Sequence, residues 1–198
     1  MSPSYNPLVV GYLSRLCEEN GLEILVDAFI ELKDTTPFKS TKLRITGGKT
    51  GDDKQFIKKQ VKKLEKKDYL KDVEFIDDFR PENLPEFFNG LTVLSVPVLK
   101  GEAFGLYQLE SMASGIPVVQ PSLGAFPEIV AITGGGLIYQ ANTPKALSTA
   151  FADLFTNTEK IKQMSVNGRQ AVADKFNSYT LAEKMIKIYE NARLKNGG

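Results

Sequence analysis

Leu94-Ser-Val-Pro-Val-Leu99, Glu102-Ala-Phe-Gly-Leu-Tyr-Gln-Leu-Glu110 and Ser111-Met-Ala-Ser-Gly-Ile-Pro-Val-Val119 make up the stretch that decides the fold. An apolar run of strand length gives way to a helical pattern, and a second apolar run follows at Pro117-Val-Val-Gln120. Strand, helix, strand is the unit of a parallel sheet, because parallel neighbours need a long crossover between them. Two carboxylates, Glu102 and Glu110, flank the start of the helix expected over Phe104 to Ala113.

The same alternation extends in both directions. Leu8 to Leu13 reads as a strand, and Leu22, Leu25, Val26, Phe29, Ile30 and Leu32 form a helical stripe behind it. Lys42 to Thr46 is a second strand ending at Gly47-Gly48. Asp52 or Asp53 is placed to cap a helix running through Phe56, Ile57, Val61 and Leu64. Val73 to Ile76 is a third strand and Leu84 to Phe88 a short helix. Thr92 to Val98 is the fourth strand, Pro127 to Ile132 a helical turn or more, and Gly136 to Tyr139 the sixth strand. Helices are expected near 143–156, 158–175 and 178–195.

These runs predict an α/β fold: one doubly wound, Rossmann-like domain with a six-stranded parallel sheet and helices on both faces. The strands are nearly continuous in apolar residues, as strands buried on both sides require. Ligands of such sheets bind at the carboxyl ends of the strands, where the winding reverses. The turns after the first four strands therefore share one rim, and Glu102 lies on it.

Composition narrows the function. Among 198 residues there is no histidine, which removes imidazole acid–base chemistry, histidine metal sites and Ser-His triads. The net charge of +1 provides no excess of cations for nucleic-acid binding. The single cysteine, Cys17, has no internal disulfide partner and fits a reducing compartment. No apolar run has membrane-spanning length, and Met-Ser-Pro-Ser-Tyr-Asn-Pro lacks a signal-peptide core, so the expectation is a soluble, cytoplasmic domain.

Gly47-Gly-Lys-Thr50 looks like the end of a P-loop, but Leu43 stands where the pattern needs its first glycine. The stretch reads as a strand-to-helix turn, with its amides or Lys49 in reach of an anion across the rim. At Phe104-Gly105-Leu106, free amides and the positive end of the helix dipole favour a phosphate, which Gly105 lets approach closely. Glu110 lies roughly 7 Å further along the axis, a suitable step from phosphate to ribose. There a carboxylate accepts from two vicinal hydroxyls. Glu102 faces the other end of such a ligand, and Arg15 stands on the same rim to neutralise phosphate charge.

In order and spacing, these segments resemble the C-terminal, donor-binding domain of GT-B fold retaining glycosyltransferases of family four. The resemblance rests on Val10-Gly-Tyr-Leu-Ser-Arg15, Leu43-Arg-Ile-Thr-Gly47, Val73-Glu-Phe-Ile-Asp-Asp-Phe79 and the E-x7-E motif Glu102 to Glu110. Ser111 to Val119, Gly124-Ala-Phe-Pro-Glu128 and Gly135-Gly-Leu-Ile-Tyr139 follow in the family's order. It implies a hexosyltransferase that takes sugar from a UDP-, GDP- or ADP-linked donor, keeps the anomeric configuration and needs neither metal nor cofactor. It further implies that Glu102 contacts the donor sugar, Phe104, Gly105 and Leu106 hold the diphosphate, and Glu110 holds the ribose. By the same resemblance, Arg15 would stabilise the leaving diphosphate, Gly47 would form the second-strand turn, and the segment ending at Phe79 would border the base.

Two positions depart from the family pattern. Asn20 replaces the lysine expected five residues after Arg15, so either Asn20 bonds a phosphate or Lys49 or Lys100 substitutes. Ala103 replaces a glycine. The resemblance also implies an absent N-terminal acceptor domain, with residues 1–198 forming one nucleotide-sugar-binding domain of a longer enzyme, inactive or weakly active when isolated. A non-catalytic nucleotide-sugar or scaffold module of the same fold is the alternative. For the stripe Leu181, Met185, Ile188 and Tyr189, ordinary packing on its own domain is the leading reading and exposure to the other domain the second. Lys58 to Lys67 suggests a membrane surface, although a solvated helix face is the ordinary reading of such a run.

Overall fold

The computed structural model describes residues 1–196. In chain order its main elements are β1 Val9–Leu13, α1 Leu22–Lys33, β2 Lys42–Thr46, α2 Asp53–Lys66, β3 Val73–Ile76, α3 Leu84–Phe88 and β4 Val93–Leu94. They continue as α4 Leu106–Ala113, β5 Val118–Pro121, α5 Phe126–Thr133, β6 Gly136–Tyr139, α6 Pro144–Phe155, α7 Thr158–Lys175 and α8 Ser178–Asn196. The strands form one six-stranded sheet in the order β3-β2-β1-β4-β5-β6, and every pairing is parallel. The winding reverses between β1 and β4, as a doubly wound Rossmann-like domain requires.

The pleat of β1 sorts the core into two layers. Val10 and Tyr12 point into a cluster with α1 and α6 that includes Leu25, Phe29, Leu147 and Phe151. Val9 and Leu13 point into the opposite cluster with Phe87, Phe88, Leu109, Met112 and Ile129 of α3, α4 and α5. This period-2 division is what a strand buried on both faces produces. Each fully buried Leu or Phe contributes roughly 1.5–3 kcal/mol, so the two layers carry the stability of the sheet. Local caps set the later helices: the Thr143 hydroxyl accepts the Ala146 amide ahead of Pro144, and Asn157 Oδ1 accepts the Lys160 amide.

Several expectations need correction. The fourth strand pairs only over Val93–Leu94, not Thr92 to Val98. Beyond Ser95, Gln120 Oε1 takes the Val96 amide at 3.0 Å, Pro97 has no amide, and Val98 N–H turns back to the Val96 carbonyl. The segment stays buried while side-chain bonds replace the ladder. The edge strands are not buried on both sides, since Phe75 of β3 is exposed. Neither Asp52 nor Asp53 caps α2 through its side chain; Asp53 instead reaches back to the Thr50 amide at 2.7 Å. The α8 stripe does not pack on its own domain: Leu181, Met185, Ile188 and Tyr189 are all exposed.

Candidate functional site

The site grows from the turns at the carboxyl ends of β1, β2, β3 and β4. Tyr12, fully buried in β1, donates its hydroxyl to the Arg15 carbonyl at 2.9 Å and the Asn20 carbonyl at 3.3 Å, which shapes the β1–α1 turn. That turn lies between its neighbours. On one side Ser14 N–H meets the Thr46 carbonyl and Leu16 N–H meets the Gly48 carbonyl. On the other side Leu99 N–H meets the Glu19 carbonyl at 2.9 Å. Asn20 thus sits at the junction of the two half-rims.

The first half-rim gathers Arg15, Gly47, Lys49 and Phe79. Arg15 donates from Nε and Nη2 to Asp53, each at 3.0 Å, and from Nη2 to the Thr50 hydroxyl at 3.1 Å. The guanidinium, then the Thr50 amide, holds the Asp53 carboxyl down at about 2. Lys49 pairs with Asp77 at 2.7 Å. The exposed Phe79 ring stands 3.7 Å from where a side chain on Gly48 would begin. Beneath lies a hollow of about 220 Å³ whose walls include Leu16, Gly47, Lys49 and Phe75.

Asn20 is partly buried and donates to the Ser14 hydroxyl at 2.8 Å, which fixes its side chain within the turn. Of the two lysines expected to substitute for it, Lys49 is held by Asp77, while Lys100 has no ion pair among the described residues.

The second half-rim is the β4–α4 turn. Helix α4 begins at Leu106, so Phe104 and Gly105 precede the helix and do not form its first turn as expected. Gly105 is the N-cap at φ +70, and a Cβ there would meet Glu102 Cγ at 3.0 Å and both Gln108 Nε2 and Tyr107 Cζ at 3.2 Å. Only glycine takes this conformation without strain. The amides of Phe104, Gly105, Leu106 and Tyr107 make no hydrogen bond among the described residues. Four consecutive donors therefore stand free at a helix N-terminus, an arrangement suited to phosphate oxygens.

Glu102 is positioned by its backbone. Its carbonyl accepts the Ala125 amide at 2.9 Å, and Gly124 passes so close that a Cβ would fall 2.3 Å from that carbonyl oxygen. Its side chain folds back to accept the Ala103 amide at 3.0 Å. Glu110, on the second turn of α4, is half-buried, and its carboxylate has no hydrogen bond or ion pair among the described residues. Burial pushes its carboxyl up, as an unpartnered acid in a partly apolar setting requires.

The sequence reasoning missed three participants. Asp53 and Thr50 hold Arg15 from 38 and 35 residues away, a tertiary contact with no local signal. Tyr107 lies inside the E-x7-E stretch itself. Among the described residues its hydroxyl is buried without a partner, and burial first, then the Glu102 charge, raises its pKa.

Among the described residues no group of three or more His, Cys, Asp or Glu gathers as a metal site. No helix among them is long and apolar enough to cross a membrane.

Comparisons with known proteins bear on the family and the fold. The family model for glycosyl transferases group 1 matches residues 3–171. The lipopolysaccharide core biosynthesis mannosyltransferase LpsB of Rhizobium meliloti is 29% identical over 186 residues, covering 92% of this chain and 51% of that protein. The C-terminal domain of a glycosyl transferase group 1 family protein, LpcC, from Francisella tularensis superposes with a TM-score of 0.76 at 23% identity. That match covers 86% of this chain and 87% of the other. Anabaena Alr3699/HepE, crystallised with UDP and glucose, superposes with a TM-score of 0.81 at 21% identity over 92% of this chain and 48% of its own.

The structural likenesses establish a shared fold, that of the GT-B glycosyltransferases, and the chain spans about half the length of the curated relatives it matches. With the E-x7-E turn on the rim of a doubly wound sheet and the family model covering most of its length, this chain belongs to the glycosyl transferases group 1 family.

Proposed function

We propose that this chain is the donor-binding domain of a longer glycosyltransferase that transfers a hexose from a nucleotide diphosphate with retention of configuration and without a metal. One observation carries the reading: four free amides, Phe104 to Tyr107, lie between Glu102 on one side and the unpartnered Glu110 on the other. The amides receive the diphosphate, Glu110 the ribose hydroxyls, and Glu102 the donor sugar. The Phe79 side of the rim borders the base.

In this reading Arg15 and the helix N-terminus supply the positive charge that stabilises the departing diphosphate, the task a metal ion performs elsewhere. Lys49 and Asn20 complete the edge of the phosphate site. The acceptor domain is the missing half, and the exposed apolar face of α8 is the surface that meets it. We place the protein in the cytoplasm, where nucleotide sugars are available to such a site.

Calorimetry with UDP, GDP and ADP tests the donor site. Saturable binding of at least one at millimolar levels is expected, and none for any of the three contradicts it. Proton NMR of the product of the full protein, with and without a chelator, tests retention and metal independence together.

A second reading, a non-catalytic nucleotide-sugar module, draws on Asn20, whose amide is occupied by Ser14 where a lysine would carry charge. Nucleotide binding without transfer by the full protein distinguishes it from the enzyme.

A further inference from the structure

Helix α2 carries six lysines, and the fold divides them into two rows. Lys59 and Lys63 face α1, where Lys63 meets Glu23 at 2.8 Å and Asp27 at 2.7 Å, and Lys59 meets Glu23 at 3.1 Å. Lys67, just past the helix, meets Asp34 at 2.7 Å. Lys54, Lys58, Lys62 and Lys66 are exposed and have no ion pair among the described residues. They recur every four residues, so they line one side of the helix over roughly 18 Å at the α-helical rise. Like charges at this spacing repel, and the only exposed carboxylate within α2 is Glu65.

We propose that this free lysine row docks the protein electrostatically on a surface of anionic phospholipid. The complementary chemistry is a layer of negative headgroups. Lysine presents a compact, strongly hydrated charge on a flexible stem, which suits mobile phosphates in a fluid layer, whereas fixed carboxylates or phosphates favour the arginine fork.

An acidic protein partner fits less well. Protein interfaces concentrate their energy in buried aromatic and arginine anchors, and the free face of α2 carries neither. Nucleic acid also fits less well, because the chain as a whole carries only +1. The apolar contribution is small: Ile57 and Val61 floor an open hollow of about 650 Å³ edged by Lys54 and Lys58. Attachment is therefore peripheral and sensitive to salt. Since α2 starts at Asp53, the partner of Arg15, the docked row begins beside the candidate donor rim.

Vesicle sedimentation of the purified protein tests the proposal, using phosphatidylcholine alone or mixed with phosphatidylglycerol. Binding is expected only with phosphatidylglycerol present, and release is expected near 1 M salt, where the Debye length is about 3 Å. The K54Q/K58Q/K62Q/K66Q variant, checked for unchanged circular dichroism, loses about fivefold in partitioning for each lysine. The K59Q/K63Q variant changes it far less, because those charges are already spent on Glu23 and Asp27. The proposal is overturned if the wild-type protein ignores anionic vesicles at low salt, or if the quadruple variant binds them as well as wild type. Binding of an acidic polypeptide or nucleic acid in place of the vesicles overturns it too.

Discussion

Arg15 grips Asp53 through both Nε and Nη2 at 3.0 Å, joining the turn after β1 to the first residue of α2. The cation proposed to meet the donor's phosphates is thus held by a nearly buried carboxylate, while half of the arginine side chain stays open to solvent. The pair orients the guanidinium before any ligand arrives. Preorganised charge is worth more than charge that must be recruited.

Acid titration reads this pair directly. The Asp53 carboxyl falls from 3.8 to about 2 in the folded protein. A depressed carboxyl contributes stability that is present above its unfolded pKa and lost as the pH drops through the folded one. Urea melts should therefore show D53N less stable than wild type at pH 7, with the gap closing between about pH 4 and pH 2. A gap that stays constant over this window contradicts the pairing.

R15A should weaken UDP or its GDP or ADP counterpart by about tenfold, the scale of one lost charge-assisted contact. Affinity for the matching nucleoside, which lacks the diphosphate, should barely move. Equal losses for both would show that Arg15 supports the turn and not the phosphates.

G105A should destabilise the domain. The alanine must adopt φ +70 and push against Glu102, Tyr107 and Gln108. A left-handed residue costs roughly 1–2 kcal/mol, and each kcal/mol lowers Tm by about 2–4 °C at this size. G51A is the control, because a Cβ there meets nothing within 4 Å and no unusual φ is involved. Calorimetric melts showing equal effects for the two would contradict the geometry of the turn.

Y107F removes a buried hydroxyl that has no hydrogen-bond partner among the described residues. Without a bond to lose, the variant should match or slightly exceed wild-type stability. A loss beyond about 1 kcal/mol in urea melts would show that the hydroxyl is bonded in the folded protein.

Much of this fold was legible because its strands are written in local pattern. Val10 and Tyr12 alternate with Val9 and Leu13, and the helical stripe of α1 is unbroken from Leu22 to Leu32. The misreadings arose where tertiary partners override the local pattern. Ser95 to Val98 is as apolar as a strand, yet the Gln120 side chain replaces its ladder. The start of α4 slipped by two residues because Gly105 reads as room for a phosphate inside the first turn, whereas its left-handed φ marks the residue before the helix.

The site divides in the same way. Glu102 and Glu110 were legible as a spaced pair, while the link from Arg15 to Asp53 spans 38 residues of chain that no local pattern joins. The apolar stripe of α8 was visible, but not whether anything covered it. Nor did the lysine run reveal that Glu23, Asp27 and Asp34 neutralise only part of it.

The central claim is that Glu110 is the ribose clamp of a nucleotide-sugar site. Calorimetry on wild type and E110Q, each with the preferred nucleoside diphosphate and its 2′-deoxy form, tests it most directly. The account predicts that either change alone weakens binding by about tenfold or more, and that the second change adds little once the first is made. Full affinity of E110Q for the ribonucleotide, or simple additivity of the two losses, would contradict it.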